Sequence, residues 1–188
     1  MSWAMIATAT LAGDAVFTVD PAASAVTFTL QATMHEVEGR FRVEPGEIRF
    51  DAASGSASGR IVIDASSGDT SNAKRDRKMH ASVLRSSEHR RIVFEPTAVA
   101  GTLAPAGSSD LEVSGTLRLL DGAHAIEVPV GVTIEGEAVR VRTTFSVPYV
   151  DWGLTDPSVF VLRVAKTVEV VVDLTGRLAG PEENAPDP

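Results

Sequence analysis

The sequence predicts an all-β protein, a closed antiparallel lipocalin-like β-barrel of about eight strands with one short helical insertion. Apolar and polar residues alternate along most of the 188-residue chain. Turn signals such as Pro45-Gly46 and Asp121-Gly122 separate the alternating runs. A sheet with one solvent-exposed polar face and one buried apolar face is typically antiparallel. A long twisted sheet tends to close, since closure removes exposed edges, and a two-sheet sandwich is the alternative.

The apolar faces of the predicted strands follow one another along the chain. In the first half of the chain they comprise Val26, Phe28, Leu30 and Ala32, then Val37, Gly39, Phe41 and Val43, then Ile61 and Ile63. In the second half they comprise Leu111, Val113, Leu117 and Leu119, then Ile126, Val128, Val130, Val132 and Ile134, then Val139, Val141, Phe145 and Val147, and finally Val168, Val170, Val172 and Leu174. A barrel interior collects such faces.

One segment, at about residues 70 to 84, departs from this alternation and predicts a helix. Asp69 or Thr70 is the expected N-cap, and a weak apolar face is expected to lie across the barrel. The segment includes the basic run Lys74-Arg75-Asp76-Arg77-Lys78. Such a run is typical of a solvated helix face.

Composition and charge exclude several classes of protein and indicate the limits of the domain. A net charge of −8 argues against binding of nucleic acid, and the absence of cysteine excludes disulfides and thiolate sites. No stretch approaches the roughly 18 apolar residues of a membrane span. We expect one domain at 15–179, an acidic tail at 180–188, and an N-terminal segment at 1–14. That segment is either a tail or the remnant of a secretory signal without its positive region.

Several short motifs, in the same order along the chain, resemble the YceI-like, lipocalin-like, polyisoprenoid-binding family. They span about residues 16 to 178. The motifs are Phe17-Thr18-Val19-Asp20-Pro21, Gly39-Arg40-Phe41, Ile48-Arg49-Phe50-Asp51, Ile63-Asp64-Ala65, Thr70 with Arg75-Asp76, Arg91-Ile92-Val93-Phe94 and Val113-Ser114-Gly115-Thr116-Leu117. The resemblance implies an elongated barrel that holds a long isoprenoid chain, often in the periplasm.

The expected function is therefore a non-catalytic binding or carrier protein for a lipid with an isoprenoid tail, of the quinone or polyprenol type. We expect no cofactor or metal, no nucleic acid, a periplasmic or extracellular location and a possible homodimer. The familiar nucleophile, zinc and phosphate-loop motifs do not occur. The alternative is a metal-dependent enzyme or metal-binding barrel that uses His35, His80, His124 and Asp76. A third interpretation is a solidly packed barrel whose outer face binds a protein.

The predicted ligand contacts fall into a lining and a mouth. The lining comprises Phe28, Leu30, Phe41, Ile63, Val113, Leu117, Val128, Val130, Val141, Phe145, Val170 and Val172. The mouth comprises His80 on the helix, His124 and Lys166 on inward strand phases, and Tyr149 and Trp152 in a loop. With Phe160, these two rings form either a lid or a plug. A strand end or turn is the alternative for Lys166.

Overall fold

The computed structural model describes residues 14–33, 35–159 and 163–180, which form ten strands and one principal helical segment. The strands are β1 (Asp14–Val19), β2 (Ala25–Gln31), β3 (Glu36–Val43), β4 (Glu47–Asp51), β5 (Ala57–Asp69), β6 (Arg91–Ala100), β7 (Gly107–Leu119), β8 (Gly122–Glu135), β9 (Ala138–Val147) and β10 (Val168–Ala179). The helical segment is α1 (Ala73–Lys78), which continues into a π-helical turn at Met79–Val83. A short 3-10 turn at Pro21–Ala23 joins β1 to β2.

The sheet closes on itself, because β5 pairs with β6 as well as with β3. The ring runs β5-β3-β2-β10-β9-β8-β7-β6, and each of these pairs is antiparallel. This confirms the predicted closed barrel of eight strands. We call the end at which β5, β7 and β9 finish the upper end, and the opposite end the lower end.

The two remaining strands complete the wall at the lower end. There β10 pairs with β1 and β5 pairs with β4, while β1 and β4 pair with each other. The long strands β5 and β10 therefore change partners halfway along their length. The wall of the barrel consequently consists of a ring of eight strands at each end, although the chain has ten strands.

The side chains predicted to form the apolar faces point into the barrel. Val26, Val43 and Val130, on three separate strands, belong to one buried cluster. Phe28 pairs in register with Gly39, and a Cβ at Gly39 would approach the Phe28 ring to 2.3 Å. The absence of a side chain at Gly39 therefore gives the ring room to lie across the neighbouring strand.

The helical insertion is confirmed between Ala73 and Val83, but its predicted N-cap is wrong. Asn72 is the cap, and its side-chain oxygen accepts hydrogen bonds from the backbone N–H groups of Lys74 (3.2 Å) and Arg75 (3.1 Å). Thr70 is not available as a cap, because its hydroxyl bonds to Asp76. The predicted tails at 1–14 and 180–188 lie almost entirely outside the described residues, since β1 begins at Asp14.

Candidate ligand-binding cavity

The upper half of the barrel encloses a cavity of about 460 Å³. This volume lies within the usual range of ligand pockets, about 300–1,000 Å³. Strands, α1 and the segment after β9 all contribute to the wall. The predicted ligand residues in this wall are Phe28, Leu30, Phe41, Leu117, Tyr149 and Val170. Further apolar residues in the wall are Ala32, Val37, Met79, Val83, Leu84, Ile92, Leu119, Val147, Leu154, Pro157, Val164 and Val168, and polar residues join them, namely His35, Thr70, Asn72, Lys74, Arg75 and Lys78.

The lower half encloses a second cavity, of about 180 Å³. Its lining is almost wholly apolar. The predicted ligand residues in this wall are Ile63, Val113, Leu117, Val128, Val130, Val141, Phe145 and Val172. Leu117 lines both cavities. The interior is therefore not packed solid, and the structure has two chambers inside the barrel.

A waist of side chains separates the two chambers. Its members are the partly buried residues that pack against the buried clusters of both halves: Phe41, Ile92, Phe94, Ile126, Phe145 and Val170. These side chains come from five strands, β3, β6, β8, β9 and β10, and they pack against the buried residues of both halves. A linear ligand that entered the upper chamber would have to displace some of them to reach the lower one.

The rim of the upper chamber is organised by Thr70, which immediately follows β5. The Asp76 carboxylate accepts hydrogen bonds from the Thr70 backbone N–H (3.0 Å) and from its hydroxyl. Arg75 donates to the Thr70 hydroxyl and to its carbonyl, both at 2.7 Å. Burial raises the pKa of Asp76, but the hydrogen bonds from Thr70 and Asn72 and the charge of Arg75 outweigh it, so the pKa lies below its ordinary value. Asp76 is thus ionised at neutral pH and holds α1 against the end of β5.

The segment after β9 covers part of the upper end. Tyr149 is only 4% exposed, and its hydroxyl donates a hydrogen bond to the Ala165 carbonyl at 2.7 Å. The backbone N–H of Leu154 donates to the Tyr149 carbonyl at 3.0 Å, which folds the segment back over the barrel. Tyr149 therefore ties the beginning of the segment to its end. Phe160, the third ring of the predicted lid, lies outside the described residues.

Ionisation of Tyr149 should report whether this closure exists in solution. Burial, with a smaller contribution from the negative charge of Asp156, raises the pKa of Tyr149 from 10.0 to about 12. A raised folded-state pKa means that the tyrosine stabilises the fold fully below pH 10.0, and that this contribution is lost as the pH rises through about 12.

Tyr149 is the only tyrosine in the chain, so its ultraviolet absorbance can be titrated without interference. We expect a midpoint near 12 in the folded protein and near 10.0 in denaturant. Equal midpoints in the two states would show that the ring is solvated and that the segment does not close over the chamber.

Two histidines predicted to bind ligand lie elsewhere, each held by other residues. The His80 ring nitrogens lie 2.9 Å from the Ser86 hydroxyl and 2.8 Å from the Gly68 carbonyl, so His80 fastens the π-helical turn to β5. His124 stacks on Trp152, with ring centroids 4.0 Å apart and planes at 4°. Neither His80, His124 nor Trp152 lines either chamber. The structure therefore places these residues outside the chamber walls, and their contact with a ligand stays a prediction. Sequence phase does not show which neighbour covers a side chain.

For Lys166 the structure shows the alternative, a turn before the strand. The residue is exposed and lies in a bend before β10 begins at Val168, so the inward phase of the strand does not extend to it. The alternative metal centre is not formed either. His35, His80, His124 and Asp76 are all within the described part of the chain, where no group of three potential metal ligands comes together.

The fold is a lipocalin-like closed barrel with two apolar chambers inside it. A YceI-like domain model matches residues 17–176, and the chain belongs to this family. The crystal structure of BcnA from Burkholderia cenocepacia is similar, with a TM-score of 0.68, 23% identity, and coverage of 84% of this chain and 98% of that one.

Two further crystal structures share the fold. A polyisoprenoid-binding domain from Saccharophagus degradans gives a TM-score of 0.68 at 19% identity, and covers 87% of this chain and 98% of that one. The YceI protein of Campylobacter jejuni gives 0.57 at 16% identity, with coverage of 80% and 88%. Comparison with curated protein sequences gives no match. Among the helices in the described residues, none has the length and apolar character needed to cross a membrane.

Proposed function

We propose that this chain is a non-catalytic carrier that encloses the tail of an isoprenoid lipid in its upper chamber. The observation that carries the proposal is the apolar cavity of about 460 Å³ beneath the rim formed by α1 and the segment after β9. An empty apolar cavity of this size costs dispersion contacts, and a hydrocarbon ligand restores them.

The lining suits a branched hydrocarbon tail. Phe28 and Phe41 lie in contact, with ring centroids 5.2 Å apart, and Leu30, Leu117 and Val170 line the same space. None of these side chains provides a strong hydrogen-bonding group, so affinity arises from burial of the tail at about 0.8 kcal/mol per methylene. The related domain from Saccharophagus degradans is described as polyisoprenoid-binding, which supports the same ligand class here.

The lining also supports a binding role without catalysis. Polar side chains are concentrated at the rim, where Thr70 bonds to both Arg75 and Asp76. Tyr149 is bonded to a backbone carbonyl and, with its raised pKa, stays neutral at physiological pH. These groups hold the rim together, since the Thr70 hydroxyl lies between the Asp76 carboxylate and the Arg75 guanidinium.

Organic extraction of the purified protein, followed by mass spectrometry, tests the proposal. We expect a prenyl lipid in near-stoichiometric amount. The matched control is the variant Val170→Trp, purified in the same way, whose chamber is partly filled and which should carry much less lipid. A polar cargo, or equal lipid in both preparations, would contradict the proposed function.

A further inference from the structure

Every charged side chain in the wall of the upper chamber is a cation. Lys74, Arg75 and Lys78, all on α1, line the chamber, and the described lining residues include no aspartate or glutamate. The chain as a whole has a net charge of −8. The charge at this opening is therefore positive, whereas the net charge of the protein is negative.

None of the three cations forms a direct ion pair in the described part of the chain, although the charge of Arg75 acts on the neighbouring Asp76. Within the described part of the chain, none of them has a carboxylate oxygen within 4.0 Å of its charged nitrogen atoms. Asp76 is the acid next to them in the chain, and it accepts hydrogen bonds from Thr70. Like charges along one short helix repel one another. An anion at the mouth would relieve that repulsion.

Two of the cations are held at the rim by other contacts. Arg75 is fixed by its two bonds to Thr70. The Lys78 ammonium donates to the Pro157 carbonyl at 3.0 Å, in the segment after β9, and two of its three N–H donors remain for a ligand. Lys74 is exposed and also contributes to the chamber wall. Lysine commonly lays its stem on apolar surface while the ammonium stays in water.

We propose that the isoprenoid ligand carries an anionic head of the phosphate type, which Lys74 and Lys78 bind at the mouth of the upper chamber. This inference rests on the proposed function. A lysine ammonium attracts phosphate as a point charge and needs no fixed orientation of the head. A neutral prenol or quinone head would leave Lys74 and Lys78 without an anionic partner.

The experiment compares geranylgeranyl monophosphate with geranylgeraniol, two probes with the same tail. We expect the parent protein to bind the phosphate at least about tenfold more tightly at low salt. Lys74→Gln and Lys78→Gln should each remove most of this preference and leave binding of the alcohol within about twofold. The control is Arg77→Gln, which makes the same charge change on an exposed residue of α1 outside the chamber wall and should preserve the preference.

Each other outcome has a distinct meaning. If the parent binds neither probe, the proposed function fails. If it binds both equally, or if Arg77→Gln acts as strongly as Lys74→Gln, the tail site stands and the anionic-head inference is overturned. Inorganic phosphate is the third probe. Should it bind alone with the same dependence on Lys74, the site takes free phosphate and the inference about a lipid head is wrong.

Discussion

Replacing Val170 with tryptophan is expected to weaken binding of a long prenyl alcohol by about 30- to 100-fold. Val170 lies on β10 and lines the upper chamber, where it also belongs to the waist. An indole at this position occupies space that three or so methylenes of the tail would fill, at about 0.8 kcal/mol each. The affinity is measured by displacement of a fluorescent prenyl probe.

The neighbouring residue supplies a matched control. Val171 alternates with Val170 and Val172, so it points away from the barrel interior. Val171→Trp adds the same side chain one residue away and should leave affinity within about twofold. Thermal unfolding of both variants shows whether the folds are retained, since overpacking costs about 1–3 kcal/mol. Equal loss of affinity in the two variants would show that the chamber does not hold the tail.

Replacing Val130 with tryptophan should affect long tails and spare short ones. Val130 lines only the lower chamber, beyond the waist. A short tail fits within the upper chamber, whereas a long tail must pass Leu117 and occupy the lower one. We expect affinity for the longest prenyl alcohols to fall about tenfold, as the loss of roughly two buried methylenes implies.

The measurement is a series of prenyl alcohols of increasing length, bound to the parent and to Val130→Trp. The two affinity curves should coincide for short tails and separate once the upper chamber is full. Val171→Trp again serves as the control, and its curve should follow the parent throughout. If Val130→Trp weakened short and long tails alike, the two chambers would behave as a single space.

Alternation in the sequence was sufficient to predict the barrel and its inner faces. A period of two places Val128, Val130 and Val132 on one side of a strand wherever that strand lies in the sheet. The predicted lining was therefore distributed correctly to the interior. The pattern cannot show how far each strand is shifted against the next. That shift decides that Phe41, Phe94 and Phe145 each pack against the buried residues of both halves.

The rim was predicted less well, because its contacts join residues far apart in the chain. His124 is in phase with an inner face, but Trp152 lies against its ring. The basic run on α1 resembled an ordinary solvated helix face, and Arg77 fits that interpretation. Lys74 and Lys78 line the chamber instead, since the orientation of α1 follows from the bonds of Thr70 to Arg75 and Asp76.

Isotope-filtered NMR on the complex with a prenyl alcohol tests the central claim most directly, because it locates the tail. The account predicts nuclear Overhauser effects from the tail to the methyl groups of Leu30, Leu117 and Val170, which line the upper chamber. The outward-facing methyl groups of Val171 should show none. Contacts to Val171 or to the exposed Val159, without contacts to the chamber, would place the lipid on the surface and contradict the account.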